Sequence, residues 1–230
     1  MAAHNVSREI IELTPGQRRR LASLLALLES DEHAPTAVRD ALRAAQAHVA
    51  DSLAALEIPA LRTAARIADL GSGAGFPGLA LAVALPDAEV SLIESQRRRC
   101  EFLERACAAA EVENARVVCA RAEEWDDGMG RNEVVVARAL AAQAVVLEYA
   151  APLLVMGGTL IDWRGRRERA AEDAADRASA LLGLRRAEVR RVAPFEGATE
   201  HHLHVFVKAQ ETPARFPRRA GIARKRPLGV

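Results

Sequence analysis

Asp69-Leu70-Gly71-Ser72-Gly73-Ala74-Gly75-Phe76-Pro77-Gly78 is the stretch on which the reading of this chain turns. A short apolar run of strand character, Arg66 to Leu70, leads into it, and Phe76 to Leu85 reads as the helix that follows. Glycines let the chain turn sharply and let a ligand lie against bare backbone. The helix beyond presents unpaired N–H groups and the positive end of its dipole, so an anionic group or a carboxylate can dock there.

Two ligands fit these letters. Gly73, Gly75 and Gly78 satisfy the dinucleotide pattern GxGxxG, with acidic Glu94 ending the next strand about twenty residues on. Gly71, Gly73 and Gly75 satisfy the GxGxG of methyltransferases, with Asp69 two positions ahead. In either case Glu94 would accept hydrogen bonds from a ribose diol. A tight strand–helix turn with no ligand is the third reading.

Working outward, strands and helices alternate. Glu89 to Ile93 reads as a strand, and Arg97 to Ala110 as a helix with Phe102, Leu103, Ala106 and Ala110 along one stripe. Arg116 to Cys119 and Val134 to Ala137 are further strands, and Ala142 to Leu154 is a helix. Gly157-Gly158 turns into the strand Thr159 to Trp163, and Arg167 to Leu182 is a helix stopped by Gly183. Ala187 to Val192 and His202 to Ala209 follow with no helix between them. This order predicts an α/β fold: a mostly parallel sheet with helices on both faces and an antiparallel last strand.

Upstream of Thr63 the chain reads as helical. Thr14-Pro15-Gly16-Gln17 carries a cap, a proline at the first helical position and a glutamine completing a capping box, and Leu21, Leu24, Leu25 and Leu28 follow at helical spacing. A second helix is expected after Pro35, capped by Thr36, with Val38, Leu42, Ala45, Val49 and Leu53 on one face. The expected organisation is a helical segment over 1–62, an α/β domain over 63–210 and a basic tail over 211–230.

The chain of 230 residues, half of them hydrophobic, suffices for one generous domain with a sizeable core. Cys100, Cys107 and Cys119 show no paired spacing and read as buried free thiols, which fits a reducing compartment. No apolar run reaches membrane-spanning length and the N-terminus lacks a signal-peptide core, so a soluble, cytoplasmic protein is expected. His202 and His204 would share a strand face, but no third ligand stands at a recognised spacing, so no metal site is expected. From Thr212 onward the charged residues are cationic: Arg215, Arg218, Arg219, Arg224, Lys225 and Arg226. Such a run reads either as a solvated end or as a set of phosphate contacts.

Three features favour the methyltransferase loop over the dinucleotide one. The terminal antiparallel pair suits it better. Arg121-Ala122-Glu123-Glu124 follows the third strand, where an adenine would lie, and Arg138-Ala139 follows the fourth, at the carboxyl edge where ligands of open α/β sheets bind. Together with His48-Val49-Ala50-Asp51-Ser52-Leu53, Glu94-Ser95, Arg97 to Arg99 with Phe102-Leu103, and the ending Phe216-Pro217-Arg218-Arg219-Ala220-Gly221, these residues make the chain resemble the RsmG (GidB) family of 16S ribosomal RNA guanine-N7 methyltransferases. The resemblance runs through most of the chain after Ala47. It implies the class I S-adenosylmethionine-dependent fold, with Gly71, Phe76, Ala122, Glu123 and Arg138 as cofactor contacts. The wider class adds Ser72, Gly73, Gly75 and Glu94.

The chain departs from the family at three places. Asp31 to Thr36 stands where the family usually carries a tryptophan and asparagines, Arg164-Gly165 replaces a lysine-glycine, and His201 replaces an arginine. The implied acceptor is 16S rRNA or the small ribosomal subunit, with no membrane partner and a monomer expected. Guanine N7 carries a lone pair and no proton, so no general base is named. Arg97, Arg98, Arg218, Arg219, Arg224, Lys225 and Arg226 are the expected RNA contacts. Engagement of five or six of them predicts a log–log salt slope around −4 to −5. The rival readings are a non-catalytic or differently targeted cofactor-binding RNA-associated protein and a nicotinamide-dependent oxidoreductase.

Overall fold

The computed structural model describes residues 13–229 except 32, 33, 36–39, 41, 42 and 44, with the backbone alone described at 45 and 46. Thr36, Val38 and Leu42 of the expected second helix lie outside the described residues. Beyond them Ala45–Ala50 is a π-helix, and short helical turns run through Asp51–Leu53, Ala54–Glu57 and Pro59–Arg62.

Seven strands form one sheet in the order β3-β2-β1-β4-β5-β7-β6. They are β1 Arg66–Leu70, β2 Glu89–Glu94, β3 Ala115–Cys119, β4 Asn132–Arg138, β5 Leu154–Arg164, β6 Leu184–Val192 and β7 His201–Lys208. β1 to β5 pair in parallel, while β7 runs antiparallel between β5 and β6. The expected α/β architecture with an antiparallel last strand is therefore present. β5 is longer than the run Thr159 to Trp163, because the chain re-enters pairing at Leu154 and its register with β4 shifts between Asn132 and Val134.

Alternating strand residues feed two cores, one on each face of the sheet. Ile67, Val134, Val136, Ile161 and Trp163 point to one; Ala68, Leu70, Val135, Ala137 and Leu160 point to the other. The first is covered by α1 (Pro15–Ser30), α2 (Gly78–Ala84) and α3 (Arg97–Ala109), the second by α4 (Gln143–Ala150) and α5 (Arg169–Leu181).

α1 starts with the expected capping box: Gln17 N–H donates to the Thr14 hydroxyl, and Gln17 Oε1 accepts from Thr14 N–H at 2.8 Å. Leu21, Leu24 and Leu28 enter the same core as β1, and Gln17 Nε2 donates to Val83 O at 3.0 Å. α2 begins two residues later than its apolar run suggests. Asp69 Oδ2 accepts the Gly78 N–H at 3.0 Å, and this bond sets the first helical donor.

The C-terminal residues fold back onto the second core. Phe216 and Ala223 are buried in it, and a last short helix, α6 (Ile222–Lys225), closes the chain against α4. The thiol expectation is corrected: Cys100 and Cys119 are joined as a disulfide, and Cys107 is the free cysteine. β2 and β3 are neighbours, so the first turn after β2 and the end of β3 arrive side by side, with Cα atoms 5.8 Å apart. No pattern local to the sequence announces that meeting.

Candidate active site

The loop after β1 lies at the carboxyl edge of the sheet beside the ends of β2, β3 and β4. Gly71, Gly73 and Gly75 all take positive φ. Gly73 is informative because a side chain there would meet little of the protein, only Gly71 O at 3.7 Å; its surroundings leave room for a ligand against the backbone. Gly78 answers a different demand, since a Cβ would lie 2.4 Å from Leu92 Cδ2 and 2.6 Å from Asp69 Oδ2. It allows α2 to approach β2 closely, so both glycine patterns read in the sequence have a structural counterpart.

A cavity of about 260 Å³ opens beside the loop, lined among others by Gly71, Glu94, Ala122, Glu123, Leu140 and Arg224. A second cavity of about 350 Å³ lies at the amino ends of β2 to β4, lined by Ser91, Arg116, Trp125 and Asn132 among others, far from the glycine loop. The carboxyl-edge cavity is the candidate site, because ligands of open α/β sheets bind beyond the carboxyl ends of the strands.

Glu94 ends β2 almost fully buried. Its Oε2 accepts Gly73 N–H at 3.2 Å, its Oε1 accepts Gln96 N–H at 2.9 Å, and Arg99 Nη1 stands 3.7 Å away. Ser72 works within the loop, its hydroxyl donating to Asp69 O at 3.0 Å. Gly75 packs toward Leu79 and Leu103, outside the cavity wall. Asp69 is buried, and burial pushes its carboxyl up to about 6 despite the bond from Gly78. Its Oδ1 has no hydrogen-bond partner among the described residues.

Arg138 leaves the end of β4 toward the N-terminal segment instead of the cavity wall. Its Nη1 donates to Ala47 O at 2.9 Å and to Asp51 Oδ2 at 3.0 Å, and its Nη2 stands 3.3 Å from His48 Nδ1. The other oxygen of Asp51 lies 2.9 Å from His201 Nδ1, and Trp163 Nε1 donates to Asp51 O at 3.0 Å. Asp51 thus joins the segment before the sheet to the ends of β4, β5 and β7. His201, which replaces an arginine of the resembled family, still faces this carboxylate. His48 stacks on Phe76 with ring centroids 5.1 Å apart, and burial, aided by the Arg138 charge, lowers its imidazole to about 4. His48, Asp51 and Trp163 cluster with Arg138 and Phe76 beside the loop, although residue type alone did not single them out. The spacing of His48 and Asp51, one helical turn, was the available signal.

The expected RNA contacts divide. Arg97 and Arg98 are exposed at the start of α3, with Arg97 Nε 3.2 Å from Glu101. Arg219, Lys225 and Arg226 are exposed. Arg218 is turned inward, its Nε donating to Glu148 Oε1 at 2.8 Å on a fully buried carboxylate. Arg224 lines the cavity, its Nη2 donating to Leu140 O at 3.1 Å. His202 Nδ1 meets Gly165 O, while buried His204 meets Arg186, and burial lowers its imidazole to about 4. Among the described residues no cluster of metal-ligating side chains is present.

A seven-stranded sheet with its antiparallel β7, a glycine loop after β1 and an acidic end to β2 define a class I methyltransferase fold. The family described as rRNA small subunit methyltransferase G matches residues 18–202, and the chain belongs to that family. The chain is 38% identical over 187 residues to the ribosomal RNA small subunit methyltransferase G of Rubrobacter xylanophilus, covering 79% of this chain and 72% of that one. It is 37% identical over 211 residues to the protein of the same name from Chloroflexus aggregans, covering 88% and 85%. A predicted O-methyltransferase from Agrobacterium tumefaciens shares the fold at a TM-score of 0.53 and 24% identity, over 82% of this chain and 81% of that chain.

Proposed function

We propose that this protein transfers a methyl group from S-adenosylmethionine to N7 of a guanine in the 16S rRNA of the small ribosomal subunit. The observation that carries the proposal is the bare, open backbone at Gly73 beside the buried Glu94 carboxylate, in a chain of this family. The residues present fit the cofactor. Gly71, Gly73, Ala122 and Glu123 would hold its nucleoside, with Glu94 accepting from the ribose diol. Asp69, buried and outside the cavity lining, serves the loop itself by accepting Gly78 N–H. When bound, S-adenosylmethionine supplies an electrophilic methyl group on a sulfonium.

The chain's own contribution is orientation and electrostatics. Guanine N7 has no proton to remove, so no side chain is asked to act as a base, and the rate gain comes from holding two groups in line. Asp51, Arg138, His48 and Phe76 form the fixed wall between the N-terminal segment and the loop. His48 is neutral at physiological pH and adds no positive charge where the purine becomes cationic. Arg97, Arg98, Arg219, Lys225 and Arg226 supply exposed charge for phosphate contacts, and the partner is RNA rather than a membrane. Among the described residues no helix is long and apolar enough to cross a membrane. We place the protein in the cytoplasm, where its substrate is made.

The test is calorimetric titration with S-adenosylhomocysteine and with NAD, followed by transfer of labelled methyl to small subunits. Binding of the first ligand alone, with label in the RNA, supports the proposal. NAD binding, or cofactor binding without label, moves the assignment to an oxidoreductase or to a non-catalytic relative.

A further inference from the structure

The basic tail is more than an external arm. Gly221 N–H donates to Glu123 Oε1 at 3.0 Å, and Arg218 is anchored on Glu148, so α6 is laid along the mouth of the carboxyl-edge cavity. Ala223 is buried in the second core, which fixes the rotation of this turn. Arg224 consequently faces the cavity that Gly71, Glu94 and Ala122 line. Its bond to Leu140 O holds it beside a residue whose Cδ1 sits where a Cβ on Gly71 would be, 2.5 Å from that position. Tyr149, buried next to Glu123 and Arg224, backs the same corner, and burial raises its phenol above the ordinary value.

We infer that Arg224 is a further cofactor-binding residue, its guanidinium plane packing against the adenine of S-adenosylmethionine at the end of β3 and β4. The inference rests on the methyltransferase reading above. The charge pattern favours a purine over a phosphate at this corner. An RNA phosphate reaching Arg224 would meet Glu94 and Glu123, and Arg99 is already close to Glu94. A neutral purine meets no such repulsion. A guanidinium is planar and weakly hydrated, so it stacks on an aromatic face, which a compact ammonium does poorly. The exposure of Arg224 at the cavity mouth leaves that plane accessible.

The test is calorimetric titration of S-adenosylhomocysteine and of adenosine into the wild type, Arg224→Ala and Arg224→Lys. Binding of a 16S rRNA fragment is measured across a salt series on the same proteins, and thermal midpoints without ligand establish folding. Arg224→Ala should weaken both small ligands about tenfold, with Arg224→Lys restoring little of it. The RNA salt slope should not change. A lysine variant equal to the wild type would overturn the inference, leaving Arg224 to its contacts with Leu140 and Tyr149. Unchanged ligand affinity with a shallower RNA salt slope would also overturn it and return Arg224 to phosphate binding. Failure of the wild type itself to bind S-adenosylhomocysteine would be recognisable separately, because it sinks the cofactor reading and this inference with it.

Discussion

Arg138 Nη1 and Asp51 Oδ2 meet at 3.0 Å although 87 positions separate the two residues in the chain. Both side chains are largely withdrawn from solvent, and the carboxylate is shared with His201. This contact ties the segment before the sheet to the carboxyl end of β4. Its strength comes from charge-assisted bonds within a shielded environment, and its removal leaves a shielded guanidinium short of a partner.

Asp51→Ala should therefore lower the free energy of unfolding by about 3 kcal/mol and weaken cofactor binding, whereas Asp51→Asn keeps part of both. Urea unfolding and calorimetry on the two variants check this. Equal stability of Asp51→Ala and the wild type would mean that the contact is incidental.

Arg218 and Arg219 are neighbours with opposite expected phenotypes. Arg218→Ala strips the partner from fully buried Glu148 and should cost about 3 kcal/mol of stability, leaving the salt dependence of RNA binding unchanged. Arg219→Ala should leave stability intact and reduce that slope. With Arg218 anchored on Glu148 and Arg224 assigned to the cavity, engagement of the exposed Arg97, Arg98, Arg219, Lys225 and Arg226 gives a wild-type slope of about −4. A salt series on both variants decides between these assignments.

The disulfide closes a loop between residues 19 positions apart. Alkylation in denaturant without reductant should label Cys107 alone, and reduction should lower stability by about 3 kcal/mol. Labelling of all three cysteines would contradict the pairing.

Burial moves the Asp69 carboxyl from 3.8 to about 6. Between those values the folded chain holds a proton that the unfolded chain has released, so stability falls as pH rises through the window, by about 3 kcal/mol. Asp69→Asn removes that dependence. Unfolding free energies of both proteins between about pH 4 and pH 7 should diverge in favour of the variant as pH rises. A constant difference would refute the raised value.

The sheet was legible because its strands are short apolar runs bracketed by glycine, proline or charge, and the capping box at Thr14 announced α1 without tertiary help. The glycine loop and Glu94 were legible for a similar reason: a turn against a ligand restricts residue type locally. What the sequence hid depends on distant partners. The Cys100–Cys119 pairing follows from the adjacency of β2 and β3. Arg218 looked like one more cation of a basic tail because its partner, Glu148, lies 70 positions upstream. The sequence signal for that burial was the lone acid within the mostly apolar α4.

The most direct test of the central claim is the position of the methyl group. Small subunits lacking N7 methylation are incubated with the protein and S-adenosylmethionine, and the RNA is then reduced and cleaved with aniline, which breaks the chain at 7-methylguanine. Scission at a single 16S guanine, absent when the protein is omitted, is the predicted result. Intact RNA after incubation with a protein that binds S-adenosylhomocysteine would contradict the account.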